Sequence, residues 1–396
     1  MDVSTGVVLA AGEGTRLRPL THNRPKPMLP AADRPILEHV LDTLVDVGID
    51  QLCLVVGYQR DRVQNHFGHA YRGVPITYAI QEKQLGSGHA LQQAAAHVDG
   101  SMLVLNGDRV IDDRIVAAVL DGFDGTSTLA ALEHPTPSEY GAIRVDGDQL
   151  VEFAEKPDRD DYRLINAGVY AFGESVFDAA ERTPRHGGEL GIPDIVETLM
   201  LDGSVRAVRT DGLWVDATYP WDLLFLAREL LARGRVSQSS PEHEAGVWIA
   251  ESARVHADAT LQPPVVVAPD AELAAGAVVG PNATVGRNAT VGANATFSNT
   301  LLDADTRIGP GVTLLDCVVG ADVTIGAGST VCGGLGDVRV RDTVFEAQRL
   351  GAVLADRASV GGGVTFAPGT LVGAGTQIAP GVHVSGTVGD GVEVVR

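Results

Sequence analysis

From residue 279 to residue 384 an apolar residue returns every six positions, and this period constrains the fold more than any other feature of the chain. Val279, Val285, Val291 and Phe297 lie six apart, with Gly280, Gly286 and Gly292 beside the first three. Leu302, Ile308 and Leu314 continue the count, then Val319, Ile325 and Val331, with one residue dropped at each break. Past an interruption at 333–357 it resumes at Val360, Phe366, Val372, Ile378 and Val384. A six-residue aliphatic repeat with small residues between predicts a hexapeptide parallel β-helix, read here as left-handed. Each triangular coil has three short strands, the aliphatic residue points inward, and Gly or Asn takes the corners. At roughly 18 residues per coil, the span 246–396 holds about eight coils. Such solenoids commonly associate as trimers, so a homo-oligomer is expected. The interruption reads as a loop or arm leaving the stack.

The first 230 residues have a different texture. Apolar runs at 6–10, 52–56, 75–80 and 102–106 alternate with helical patterns at 35–47 and 88–97. Strands separated by helices predict an α/β, Rossmann-like domain with a mainly parallel sheet, its ligands lying beyond the strands' C-terminal ends. Later runs at 127–132, 141–145, 149–154 and 165–172 lack intervening helices, so the sheet is expected to become mixed. An amphipathic helix at about 219–232 precedes a polar stretch without period. The domains expected are therefore 1–232, a linker at 233–245, and a β-helix at 246–396.

A length of 396 residues fits two domains. No stretch of 18 apolar residues occurs, so no membrane span is expected. The N-terminus lacks a basic n-region and reads as a first strand, which with the absence of a span points to the cytoplasm. Cys53, Cys317 and Cys332 form neither a disulfide framework nor a metal-ligand spacing and read as reduced thiols. The net charge is −21, and only three of the 30 basic residues are lysines: Lys26, Lys83 and Lys156. An acidic, lysine-poor surface suits a protein kept soluble in concentrated salt, although high genomic G+C content would also replace Lys by Arg. It argues against nucleic acid, which needs a basic footprint.

Residues 8–30 read VLAAGEGTRLRPLTHNRPKPMLP. An apolar strand ends in the Gly-rich turn Gly12-Glu13-Gly14-Thr15-Arg16, whose exposed N–H groups suit an anion. Arg16 and Lys26 add cations, and prolines stiffen the segment around Lys26. The glycines are too close together for a Walker A loop, and Leu17 stands where a dinucleotide fingerprint needs its third Gly. The segment closely resembles the G-x-G-T-R…P-K-P signature of sugar-1-phosphate nucleotidyltransferases.

That resemblance implies an NTP and a sugar 1-phosphate as substrates and an NDP-sugar and pyrophosphate as products. Leu9, Ala10, Ala11, Gly12, Gly14 and Thr15 would then line the nucleotide, with Arg16 and Lys26 on its phosphates. Gln81 to Ala90, QEKQLGSGHA, resembles the base-reading loop of the uridylyltransferase branch and assigns Gln81, Gly86 and Ser87 to the base of UTP or dTTP. Read without the resemblance, Ser87 is a helix N-cap. Asp108, in Leu-Asn-Gly-Asp, and Asp216 match the family's metal aspartates, and two carboxylates with phosphate oxygens suit Mg²⁺. Tyr140-Gly141, Glu155-Lys156 and Asn166-Ala167-Gly168 resemble its sugar contacts: Gly141, Glu155 and Asn166 for the hydroxyls, Lys156 for the 1-phosphate. Lys26 and Asp108 are expected on loops at strand ends, outside the core. The reaction implied is a Mg²⁺-dependent in-line displacement, with Arg16, Lys26 and Lys156 as the catalytic cations.

With the β-helix included, the architecture resembles the bifunctional N-acetylglucosamine-1-phosphate uridylyltransferase/glucosamine-1-phosphate acetyltransferase group and its archaeal relatives. The stretch aligned with that group's acetyltransferase motif, GPGVTLLDC at 309–317, has neither His nor Tyr. Three readings stay open: a nucleotidyltransferase, a bifunctional enzyme that also acetylates glucosamine 1-phosphate with acetyl-CoA, and a non-catalytic nucleotide-sugar sensor. The first accounts for the joint presence of Arg16, Lys26, Asp108, Lys156 and Asp216. Under it the β-helix serves assembly or regulation, and its removal is expected to leave some nucleotidyl transfer.

Overall fold

The computed structural model describes residues 3–159, 161–203 and 205–395. The chain divides into two compact units that interleave along the sequence. The first holds the residues up to Glu13, Pro25–Met28 and Ile36–Asp216; the second holds Gly14–Arg24, Leu29–Pro35 and everything from Ala217 onward. The texture change at 233–245 thus marks where the repeat starts, whereas packing divides the chain elsewhere.

The first unit is built on a ten-stranded mixed sheet. Thr5–Ala10 lies inside it, parallel to Gln51–Val56 on one side and to Met102–Asn106 on the other. All six residues of Thr5–Ala10 are buried, as befits a strand covered on both faces. Leu91, Phe172 and Ile195 belong to the core on one face, and Leu41, Val63 and Ile115 to the core on the other. Beyond Met102–Asn106 the sheet becomes mixed, as expected: Leu164–Phe172 runs antiparallel to it and to Thr128–Glu133, while Arg206–Thr210 returns parallel to the latter. The pairing of Leu164–Phe172 with Thr128–Glu133 slips between Asn166 and Tyr170, which bends the strand at Asn166-Ala167-Gly168.

Helix Ile36–Asp46 forms where the apolar spacing places it, and Ser87–Ala94 continues as a 3₁₀ turn over Ala95–His97. Helices Arg60–Phe67, Asp113–Gly122, Ser175–Arg182 and Ile192–Asp202 were not read from sequence. Arg60–Phe67 shows why: its buried face is only Val63 and Phe67, one helical turn apart, too little for a periodic signal.

The second unit is dominated by three ladders of short parallel strands that stack into a β-helix. One ladder runs through eight strands from Arg254–Val255 to Glu393–Val394. Successive rungs are 18 residues apart at Val267 and Val285 but 17 apart at Val285 and Leu302, which accounts for the dropped residues in the repeat. The repeat residues Val279, Val285, Val291, Phe297, Ile308 and Leu314 point inward and are buried. Left-handed corners are held by Asn282, Asn288 and Asn294, and also by Asp270, Asp305 and Asp322, so Asp shares the role expected of Gly and Asn. The interruption is an antiparallel hairpin of Leu335–Val340 and Thr343–Arg349. Helix Pro220–Ala232 packs on Thr296–Leu302 and Thr313–Val319. Part of the expected linker is ordered: Glu242–Glu244 pairs with Val247–Ile249, and the Ser237 N–H donates to Asp33 at 3.0 Å.

Burial pushes the Cys53 thiol up to about 11 and the Cys317 thiol up to about 12, so both are protonated core groups. Among the described residues no helix is long and apolar enough to cross a membrane.

Candidate active site

In the first unit, two strand ends and the 3₁₀ turn Lys26–Met28 bring together the candidates. Gly107 follows Met102–Asn106, and its N–H donates to the Leu9 carbonyl at 2.9 Å. A Cβ there would lie 3.0 Å from Val8 Cγ1 and 3.1 Å from Ala10 Cβ, tighter than side chains ordinarily pack, so glycine suits this close approach to the neighbouring strand. This fixes Asp108 one residue beyond. Asp216 ends Trp214–Asp216, which pairs antiparallel with Arg109–Ile111 and sets Asp216 opposite Arg109. Lys26 joins the two carboxylates: its Nζ lies 2.7 Å from Asp108 Oδ2 and 2.8 Å from Asp216 Oδ1. Burial alone would lower the lysine's pKa, but the two aspartates outweigh it and hold the ammonium above its usual range.

Lys26 is only 8% exposed, which corrects the expectation of a loop residue outside the core. The Asp108 side chain, at 34% exposure, stays accessible. The cation is buried because it reaches inward to two carboxylates, one of them largely enclosed, something its proline-rich neighbourhood does not reveal.

Arg109, which has no role in the sequence reading, belongs to the same cluster. Its Nε donates to Asp216 Oδ2 at 3.2 Å, and its guanidinium lies 5.3 Å from the centre of the Trp214 ring. Two cations and two carboxylates are therefore matched in charge. Gly168, at φ +75°, makes room for this arginine: a Cβ there would be 2.7 Å from Arg109 Nη1. In the bent strand the Asn166 amide donates to Tyr170 Oη at 2.6 Å and accepts the Gly168 N–H at 3.1 Å. The Trp214 indole donates to the Ala167 carbonyl at 2.7 Å. Gly141 pairs with Glu155 across the hairpin, and the Lys156 N–H donates to the Tyr140 carbonyl at 3.0 Å. The Glu155 and Lys156 side chains are exposed.

Of the base-loop candidates, Gln81 lines a cavity of about 520 Å³ together with Glu13, Gly57, Tyr58, Arg60, Glu82 and Gln84, whereas Gly86 and Ser87 lie outside its lining. That volume suits a small organic ligand. Gln84 Nε2 donates to the Ala11 carbonyl at 3.1 Å, tying the loop to the end of the first strand. Gln81 is nearly buried; its Nε2 donates to the Gly86 carbonyl at 3.0 Å and lies 2.9 Å from His89 Nδ1. Gly86, at φ +99°, sits against the Leu190 backbone, where a Cβ would meet the carbonyl at 2.2 Å. Gly86 is the N-cap of the helix and Ser87 is its first residue, contrary to the N-cap reading of Ser87. The Ser87 hydroxyl instead accepts the Ile192 N–H at 3.0 Å, at the start of helix Ile192–Asp202.

Gly14, Thr15 and Arg16 belong to the second unit. Gly14 is left-handed (φ +63°), and its carbonyl accepts the Leu17 N–H and the Thr21 hydroxyl, each at 2.9 Å, closing a 3₁₀ turn over Thr15–Leu17. The Arg16 side chain is exposed and lies 6.0 Å from the centre of the Tyr219 ring.

Two carboxylates converging within 2.8 Å of one cation are a donor set that fits a divalent ion completed by ligand oxygens. Among the described residues no group of three or more His, Cys, Asp or Glu forms a closed metal cage.

A family profile described as Nucleotidyl transferase matches residues 5–232, and one described as GMPPB C-terminal domain matches residues 261–388. The relatives include the Bifunctional protein GlmU of Methanococcus maripaludis strain S2, 33% identical over 261 residues, which are 65% of this chain and 61% of that protein. The UTP–glucose-1-phosphate uridylyltransferase AglF of Haloferax volcanii is 37% identical over 223 residues, covering 54% of this chain and 92% of the relative. A solved UDP-glucose pyrophosphorylase from Acinetobacter baumanii shares the fold at a TM-score of 0.54 and 20% identity, over 59% of this chain and 94% of its own. The match to GlmU thus spans about 61% of that relative's length. Nucleotidyltransferases of this family generally use a divalent metal. The profile covers more than half of the chain and includes every residue of the acidic cluster and the base loop, so the chain belongs to the nucleotidyl transferase family.

Proposed function

We propose that the protein transfers a nucleotidyl group from UTP or dTTP to a sugar 1-phosphate, releasing pyrophosphate and an NDP-sugar. The observation that carries this reading is the convergence of Lys26, Asp108 and Asp216 just beyond the end of Met102–Asn106, in one unit with the cavity beside Gln81. The name of the AglF relative makes UTP and glucose 1-phosphate the first pair to try, with dTTP and N-acetylglucosamine 1-phosphate next.

In this reading Gln81 and the Gly86-Ser87 backbone hold the base, while Leu9 to Thr15 line the nucleotide. Lys156 orients the sugar phosphate, and Gly141, Glu155 and Asn166 face the sugar hydroxyls. A phosphate oxygen of the sugar 1-phosphate attacks the α-phosphorus as the bond to the bridging oxygen of pyrophosphate breaks. The attacking phosphate is already a nucleophile, so the protein contributes position and charge. Arg16 and Lys26 neutralise the α-phosphate and the departing pyrophosphate. Asp108 and Asp216 would hold Mg²⁺, whose contribution when bound is neutralisation of phosphate charge.

We further propose a nucleotidyltransferase domain over 1–232, a linker over 233–245, and a left-handed β-helix over 246–396 that assembles the chain as a cytoplasmic homotrimer in concentrated salt. The match of 261–388 to a GMPPB C-terminal domain, with Pro310 or a neighbour where an acetyltransferase motif would need its base, favours a β-helix without acetyl transfer. Pyrophosphate release from UTP or dTTP with a panel of sugar 1-phosphates, in Mg²⁺ and molar salt, is the test. Turnover with at least one pair is expected. No turnover by folded protein would leave the sensor reading, and thiol release from acetyl-CoA that depends on glucosamine 1-phosphate would restore the bifunctional one.

A further inference from the structure

Arg24 takes no part in the chemistry described above, yet it is buried against acids within the second unit. Its Nε donates to Asp356 Oδ2 at 3.1 Å, its Nη2 bonds the other oxygen of the same carboxylate, and its Nη1 donates to Asp303 Oδ2 at 2.6 Å. The fork on Asp356 is bidentate, the geometry that only a guanidinium supplies.

Both aspartates stand on one corner of the β-helix. The rungs there are Leu302, Val319, Leu354, Val372 and Val388, paired in that order. Asp303 follows the first rung, and Asp356 comes two residues after the third. The rung between offers Gly320, where a Cβ would lie 2.5 Å from Asp356 Oδ1 and push away the carboxylate that receives Arg24. Asp390 occupies on the fifth rung the place Asp356 has on the third, and its Oδ2 lies 2.5 Å from His22 Nδ1.

These carboxylates are also fixed independently. Asp356 accepts the Ala321 N–H at 3.1 Å, and Asp390 accepts the Ala374 N–H at 2.7 Å. An acidic edge of the solenoid thus receives His22 and Arg24, which continue the turn carrying Arg16.

The hairpin that interrupts the repeat makes a second attachment. Phe345 packs 4.7 Å from Tyr219, and Tyr219 stacks on Trp221 at 4.8 Å. Tyr219 is in turn the ring that faces Arg16. The Asp222 carboxylate accepts the Tyr219 N–H at 2.7 Å and holds that backbone in place.

We propose that the β-helix is a positioning element for nucleotidyl transfer: its acidic corner and its hairpin hold Gly14–Arg24, and with it Arg16, in the form that receives the triphosphate. Arg24 and Phe345 are positioning residues, acting through Arg16. The proposal rests on the nucleotidyl-transfer reading, and it replaces the expectation that transfer survives removal of the solenoid.

The test compares wild-type full-length chain with Asp356→Asn, Phe345→Ala and Phe345→Trp. Steady-state rates with UTP and glucose 1-phosphate are measured beside calorimetric titration with UTP and with pyrophosphate. Asp356→Asn and Phe345→Ala are expected to raise KM for UTP about tenfold while leaving KM for the sugar 1-phosphate within about twofold. Phe345→Trp, which keeps an aromatic face against Tyr219, is expected to restore the wild-type value to within about threefold. A merely structural role would weaken both substrates alike, whatever the change in Tm. Unchanged KM for UTP in both folded variants, beside an active wild type, overturns the proposal and leaves the transfer reading standing. If the wild type turns over no substrate pair, the transfer reading fails and the titrations decide. Binding weakened about tenfold by Phe345→Ala then upholds the attachment, while equal binding, or none by the wild type, overturns it.

Discussion

The signature segment carries two largely enclosed cations that look alike and are held very differently. Lys26 and Arg24 lie two residues apart, and each meets two aspartates, yet they belong to different compact units. The acids of Lys26 are strand-end residues, and the Asp108 side chain is one-third exposed. The acids of Arg24 are closed in, with side-chain exposures of 17% and 10%, and both are tied to backbone N–H groups. An ammonium is a point charge that a ligand's phosphates can recruit, whereas a forked guanidinium against two fixed carboxylates is locked. In the proposed reading, one pair of acids serves a ligand and the other anchors the chain.

The largest effects test this contrast directly. Lys26→Ala is expected to lower kcat by two to three decades, about 3–4 kcal/mol of transition-state stabilisation, measured as initial pyrophosphate release. Because Lys26 is buried between two acids, the same variant should also unfold at a lower temperature. Arg24→Ala strands Asp303 and Asp356 around an empty site and should cost about 3–5 kcal/mol of stability, read from its thermal or denaturant transition. A fully stable Arg24→Ala protein would erase the distinction between anchor and site.

Asp108→Asn should reduce kcat about a hundredfold and leave Tm within about 2 °C, because this carboxylate is accessible and its amide keeps the shape. A variant with more than half the wild-type rate would remove Asp108 from the machinery.

His89 gives a smaller, pH-dependent effect. Burial, with help from Arg185 and against the Lys83 carbonyl, lowers its pKa from the ordinary 6.5, which favours a neutral imidazole able to accept from Gln81. The folded pKa lies below the unfolded one. The neutral ring's contribution is therefore complete above about pH 6.5 and declines as pH falls from there through the lower, folded value. KM for UTP should rise between pH 7 and pH 5 in the wild type, and His89→Asn should flatten that profile.

Asp46→Asn should have the smallest effect. Asp46 pairs with an exposed arginine, Arg72, at 2.8 Å. Solvent screening limits such a pair, so stability should change by no more than about 0.5 kcal/mol. A larger loss would mean that exposed charges also support this acidic fold.

Sequence by itself determined the solenoid and the parallel centre of the sheet. Both are local: a six-residue apolar period, or an unbroken apolar run, states which residues face inward without reference to the rest of the chain. It also marked Lys26, Asp108 and Asp216 by resemblance, although not that one ammonium would join the two carboxylates. Short helices such as Arg60–Phe67 carry too few buried positions to be periodic, and they form because the neighbouring strands leave two hydrophobic slots to fill. Only tertiary structure decided the rest. Arg24 and Asp356 are separated by 332 residues, and Arg109 and Asp216 by 107. Charge pairing depends on distance in space, and nothing in the spacing of the repeat says that Arg24, far back along the chain, meets the acids stacked on one solenoid corner.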